Sequence, residues 1–317
     1  MSKPLTFKFK TKYQPTSILA LIIILCVWSC KFDKKAENKF VEKEDWIALF
    51  NGKDLTGWDI KITGLDINDN YKETFVVEDS MLRITYDNYE NFEDKFGHLY
   101  YKTPFSYYKL SFDYRFTGNQ IPGGSHWNVR NSGVMLHSQS AASNEYNQNF
   151  PVSVEFQLLG GLNDNKERTT ANVCTPGTAV VMGDTLNYKH CISSNSKTYF
   201  GDQWVHAEAI VMGGESMTFI VEKDTVLSFK LPQVGATEPN KQYKGENWDK
   251  WGMPKTKEAW SKKAGEVITE GYIALQAESH PIDFKNINLL DLCGCMDKKA
   301  KNYKSYYVKN KPETCIY

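Results

Sequence analysis

Apolar and polar residues alternate with a period of two over several short runs, the pattern of β-strands that bury one face. The longest run is Tyr107–Phe116, YYKLSFDYRF. Tyr108, Leu110, Phe112, Tyr114 and Phe116 share one face, and Lys109, Ser111, Asp113 and Arg115 the other. In ETFVVEDSMLRITY, Phe75-Val76-Val77 and the pair Leu82/Ile84 flank Glu78-Asp79-Ser80, which predicts a hairpin. WVHAEAIVM, SMTFIVE and TVLSFKL continue the series, and GYIALQAE with IDFKNINLLDL closes it. Helix signals are scarce. Residues 256–264, stopped by Gly265, form the one short helix the pattern supports. Many short strands parted by turns predict an all-β domain of two antiparallel sheets packed as a sandwich.

Within that series, residues 131–161 stand out. They read as two strands, NSGVMLHS and PVSVEFQLL, joined by a polar loop. Val152, Val154, Phe156 and Leu158 form an apolar face, with Ser153, Glu155 and Gln157 opposite. In the partner strand, alternation sets Val134 and Leu136 against Asn131, Gly133, Met135 and His137. If the strands are neighbours, Glu155, His137, Gln157 and Asn131 share a polar concavity suited to gripping a polyhydroxylated substrate and moving a proton. The competing reading is a solvated outer sheet face, on which a Glu and a Gln need no purpose. Arg83 and Gln276 lie on other strands as candidate hydroxyl binders. The segment 235–266 is long for a loop and holds Trp248, Trp251 and Trp260. Its length and polarity predict a cover over one end of the sandwich, with Trp251 a candidate sugar contact.

Composition narrows the picture. Lys+Arg and Asp+Glu are 38 each, so no global field draws the chain to nucleic acid. The N-terminus reads as a signal peptide over 1–29: four lysines, then a short apolar run, then Ser29-Cys30. Val27-Trp28-Ser29-Cys30 resembles a bacterial lipobox, which makes Cys30 the lipidated residue and 30–45 a polar tether to the membrane. Export permits disulfides. Cys174–Cys191 is the preferred bridge and Cys295–Cys315 the second, leaving one of the five remaining thiols free. No Cys or His spacing suggests a zinc site. Residues 293–317 differ in texture, rich in lysine and tyrosine with cysteines at both ends, and read as a small disulfide-closed appendage. They resemble the short Gly-Cys-containing appendages that end exported proteins of Bacteroidetes-type bacteria.

LFNGKDLTGW at 49–58, NSGVMLHS followed by VEFQLLGG, and GYIALQAESHPIDFKNINLLDL at 271–292 occur in one order. Together they resemble the 3-keto-disaccharide hydrolase family over residues 46–292. The resemblance implies a concanavalin A-like jelly-roll β-sandwich and action, in a bacterial envelope, on glycosides oxidised at C3. Many members of that family have Arg where this chain has His137. Concanavalin A-like glucanases use paired acids in an E-x-D-x-x-E strand, and here only Glu155 stands in the corresponding segment, with Gln157 where a second acid belongs. A C3 ketone opens another route, because it acidifies the C2 hydrogen so that elimination releases the C1 substituent. Glu155 and His137 would then be base and acid, with Gln157, Asn131 or a divalent cation at the enolate. The alternative is a non-catalytic carbohydrate-binding lipoprotein of the outer membrane.

Overall fold

The computed structural model describes residues 43–236, 238–242 and 246–317, so the signal segment and Cys30 lie outside the described residues. In chain order come β1 (Ile47–Ala48), β2 (Trp58–Ile62), β3 (Phe75–Glu78), β4 (Met81–Ile84), β5 (Gly97–Tyr101), β6 (Tyr107–Phe116), β7 (Asn131–Ser138) and β8 (Val154–Leu159). The polar region after β8 carries only short strands: β9 (Asn172–Cys174), β10 (Thr178–Met182), β11 (Thr185–Asn187) and β12 (Cys191–Ile192). Then follow β13 (Val205–Met212), β14 (Ser216–Val221), β15 (Asp224–Val234), the short helix α1 (Lys257–Lys262), β16 (Tyr272–Ala277) and β17 (Ile282–Asp291). β18 (Cys293–Gly294) and β19 (Lys309–Asn310) belong to the C-terminal appendage.

Two antiparallel sheets face each other. The larger runs β11-β10-β15-β14-β13-β6-β17-β4-β3, with β1 added beside β17; the smaller runs β12-β9-β8-β7-β16-β5-β2. Sequence-distant strands interleave in both, β6 lying between β13 and β17 and β7 between β8 and β16. This is the concanavalin A-like jelly-roll sandwich. Strict alternation of half-buried and buried residues along β6 follows from its central place in the larger sheet. Its inner face meets the smaller sheet through Phe112 and Phe156, whose ring centroids are 5.7 Å apart, and Phe156 packs on Phe219 of β14 at 4.2 Å. The β3–β4 turn places Asp79 and Ser80 at φ of +51° and +58°, the paired left-handed geometry of a two-residue hairpin. Both expected disulfides form, Cys174–Cys191 joining facing positions of β9 and β12 and Cys295–Cys315 closing the appendage; among the described residues Cys293 is the free thiol, and it is buried.

The outer face of the smaller sheet departs from expectation. Instead of an open concavity, every residue of β7 is buried on both sides. The cover is built by residues 139–153 and the tryptophan-bearing segment. Trp248, Trp251 and Met253 are buried against Val152 as a separate apolar core outside the sandwich. The segment is polar on average, yet its three buried residues suffice to hold it down. Gly252, at φ +75°, sits so close to the Asn147 carbonyl that a Cβ would lie 1.9 Å from its oxygen. The Glu145 carboxylate accepts hydrogen bonds from the Lys255 and Thr256 amides and from Thr256 Oγ1, at 2.9, 2.7 and 2.7 Å. This cover is a packed element.

Candidate active site

Beneath the cover, strand register lays polar side chains in rows across the smaller sheet. Gln157 of β8 faces Asn172 of β9 on one side and Gly133 of β7 on the other. Gln276 of β16 faces His98 of β5. The β7–β16 register pairs Leu275 with Val134, and its continuation sets Gln276 beside Gly133. The missing side chain at Gly133 leaves the row a gap, and Glu155 fills it: a Cβ on Gly133 would lie 2.5 Å from Glu155 Oε1. The amides on one flank are fixed by their bonds. Asn172 Nδ2 donates to Gln157 Oε1 at 3.0 Å, and Gln157 Nε2 donates to Asn131 Oδ1 at 3.3 Å. On the other flank Gln276 Oε1, His98 Nε2 and Glu278 Oε2 are buried and, among the described residues, have no hydrogen-bond partner. Buried polar atoms normally find partners, so three together on one face mark a place built for something other than stability.

Protonation follows from burial. Glu155, 6% exposed, has its pKa pushed up to about 8 because the ionised form loses water. Glu278, just past the end of β16, is also held well above the usual carboxylate range: burial is the largest cause, the charge of Glu155 adds to it, and Arg168 opposes both. The two carboxyls are therefore electrostatic neighbours, and ionising one makes ionising the other harder. His98 is held neutral, its pKa lowered to about 3 by burial. Arg168 is fastened by its guanidinium to the carbonyls of Val129, Arg130 and Gly160 at 2.6, 3.2 and 2.8 Å. That brings residues 127–130 to the Glu278 end of the site. There Asn128 and His280 keep both polar side-chain atoms buried and unpartnered among the described residues, and burial, with help from Arg130, lowers His280 to about 4.

Of the residues singled out from the sequence, Glu155, Gln157, Asn131 and Gln276 come together on this face. Three do not. A bulge in β7, which sets two residues against one between the Ser138/Tyr272 and Met135/Ala274 pairs, carries His137 at φ +49° and breaks the alternation. Its ring turns into the sandwich, 6.1 Å from Tyr108, with Nε2 3.1 Å from the Gly213 carbonyl oxygen. Arg83 lies in the larger sheet, where Asp283 binds it at 2.9 Å and takes Arg115 with its other oxygen. Trp251 gives its indole N–H to Glu246 at 2.9 Å and packs on Phe150. The second carboxyl that local sequence did not supply is Glu278, the last residue of GYIALQAE and far from Glu155 along the chain; His98, Asn128, Arg168 and His280 are likewise brought in by the fold. The sequence sign of Glu278 was its place at the end of that strand run. No group of three or more His, Cys, Asp or Glu able to hold a metal occurs among the described residues.

The site is thus a pair of buried carboxyls on an amide-lined face of a jelly-roll sandwich. The family described as the 3-keto-alpha-glucoside-1,2-lyase-like domain matches residues 45–290, and the chain belongs to that family. No curated protein matches the chain. Among solved structures it is similar to two proteins of Parabacteroides distasonis ATCC 8503 that carry the provisional name glycosyl hydrolase. The first is 17% identical, covering 77% of this chain and 98% of that one at a TM-score of 0.44; the second is 18% identical, covering 78% and 93% at 0.42. A carbohydrate-binding module of Bacillus subtilis is 10% identical, covering 74% and 96% at 0.37.

Proposed function

We propose that the domain cleaves 3-keto-glycosides by eliminating the C1 substituent across C1–C2, with Glu155 as base and Glu278 as acid. The observation that carries the reading is the pair of buried carboxyls that repel each other's charge. In its ionised form Glu155, seated in the gap at Gly133, takes the C2 proton, which the C3 ketone has acidified. Its charge keeps Glu278 protonated, and Glu278 gives that proton to the departing glycosidic oxygen. The C2–H and C1–O bonds break, a C1–C2 double bond forms, and the products are a 2-hydroxy-3-keto-glycal and the free C1 substituent. The Nε2 of the neutral His98 ring, unpartnered among the described residues, lies on the same face to donate to the enolate oxygen, and Gln276 Oε1 is placed to accept from a sugar hydroxyl. Incubating the protein with a 3-keto-disaccharide and following released sugar tests the activity. Binding of unoxidised glycan with no turnover of any keto sugar would instead favour a binding module.

Export and lipid anchoring through Cys30 are proposed on the basic–apolar–Ser-Cys order of the N-terminus. Cys30→Ala should release the protein from the membrane fraction or block its maturation, and unchanged membrane association would contradict the anchor.

A further inference from the structure

We propose that the C-terminal appendage, together with the start of β1, is a membrane-facing surface that takes the anionic headgroup layer of a lipid bilayer. Residues 293–317 hold six lysines against Asp297 and Glu313, in a chain whose charges cancel overall. Asp297 is already engaged, accepting from the Tyr317 hydroxyl and the Lys299 amide at 2.9 Å each. Lysines on a surface are ordinary; these stand among exposed apolar side chains. Met296, Val308, Ile316 and Tyr317 are 40%, 46%, 57% and 71% exposed, and Trp46 and Ile47 at the start of β1 are 39% and 40% exposed. These six make up half of the large exposed hydrophobics among the described residues.

The frame beneath them is fixed. Cys295–Cys315 closes the appendage, and β18 pairs with β19. The Lys301 amide donates to the Ile316 carbonyl at 2.8 Å and Lys301 Nζ to the Tyr317 carbonyl at 3.0 Å. Lys298, Lys299 and Lys301 therefore sit with Ile316 and Tyr317. Lys304 pairs with Asp45 at 2.8 Å, and the Tyr306 hydroxyl meets the Asp45 carboxylate at 3.3 Å. The chain preceding Asp45 thus enters the domain at the appendage. A lipid on Cys30 would therefore tether the domain by the end that carries the appendage. Basic side chains supply attraction to anionic headgroups and the apolar ones insert at the interface.

The orientation rests on the proposed anchor, but the binding does not, and the test separates them. From Glu42 onward the chain forms one compact unit whose buried apolar core begins at Leu49, so residues 42–317 are used without residue 30. Cosedimentation is measured with vesicles of phosphatidylcholine alone or with about one-third phosphatidylglycerol. Binding is expected to the anionic vesicles only, and to weaken at least ~10-fold on raising salt from about 0.05 to about 0.5 M. Lys298→Glu/Lys299→Glu/Lys301→Glu should weaken it ~100-fold, at roughly fivefold per lysine near an anionic surface. Lys166→Glu/Lys223→Glu, elsewhere on the domain, should stay within about threefold of wild type, and circular dichroism should show both variants folded. Ile316→Ser tests the apolar part without changing charge and should also weaken binding. Absence of binding to anionic vesicles, equal binding to neutral ones, capture by soluble anionic polysaccharide alone, or a triple variant that binds like the control would each overturn the proposal.

Discussion

Glu155 is buried without an opposite charge, and that sets its behaviour. Replacing it by Gln removes a group whose ionised form the fold disfavours while keeping its shape. Glu155→Gln should lower turnover of a 3-keto-glycoside by about two orders of magnitude or more. A drop in affinity with saturated turnover unchanged would mean that it only binds. Glu278→Gln should slow substrates with poor leaving groups far more than those whose C1 substituent departs without a proton. Equal slowing of both would contradict its role as acid. The placement of Glu155 could be read from alternation around Val154 and Phe156, because β8 keeps a regular period. That of His137 could not. A single extra residue in β7 reverses the direction of every side chain beyond it, and nothing in NSGVMLHS announces the bulge.

At the scale of elements, β7 earns its sequence through what it leaves out. Gly133 gives the Glu155 carboxyl its place, so Gly133→Ala should displace the carboxyl and cut kcat by ~10-fold or more. Thermal stability should change little, since the obstructing atoms belong to the end of a side chain. A variant with wild-type kcat would show that the carboxyl works from elsewhere. The cover over this sheet behaves as core. Trp248→Ala should cost about 3–5 kcal/mol in denaturant unfolding, whereas a mobile flap would lose little. The sequence already predicted a cover from the length and tryptophan content of the segment. It did not predict the anchorage, because Val152, Asn147 and Glu145 lie about a hundred positions away. The same separation hid the site's other half. Alternation locates a side chain on its own strand, but which strands become neighbours is decided by the jelly-roll crossings that put β16 beside β7.

The whole molecule couples these groups to stability. Glu155 and Glu278 have folded pKa values above the ordinary carboxylate value, so the folded state holds protons that the unfolded chain releases. Their stabilisation is complete at low pH and is lost as pH rises toward and through about 8. His98, His137 and His280 are lowered and act oppositely, losing stability as pH falls below about 6.5. For His206, partial burial lowers the pKa, but the Asp113 and Glu208 carboxylates together outweigh it and raise it, so it adds to the decline on the alkaline side. Between about pH 6.5 and 8, stability should therefore fall with pH, by up to about 1.4 kcal/mol per unit for each proton released. Glu155→Gln should flatten part of that slope and raise Tm at pH 8; parallel wild-type and variant curves would place the Glu155 pKa in the ordinary range. Activity should rise over the same interval as Glu155 ionises.

Transfer of the C2 proton of a 3-keto-glycoside to Glu155 would show as an isotope effect at that carbon. Release of the C1 substituent is compared for substrate carrying hydrogen or deuterium at C2, near pH 8, with saturating and limiting substrate. Slower cleavage of the deuterated substrate is expected, by about twofold or more, with a 2-hydroxy-3-keto-glycal as product and no measurable C2–H cleavage by Glu155→Gln. Release of the substituent at equal rates from both substrates, with the C2 label retained in the product, would contradict it.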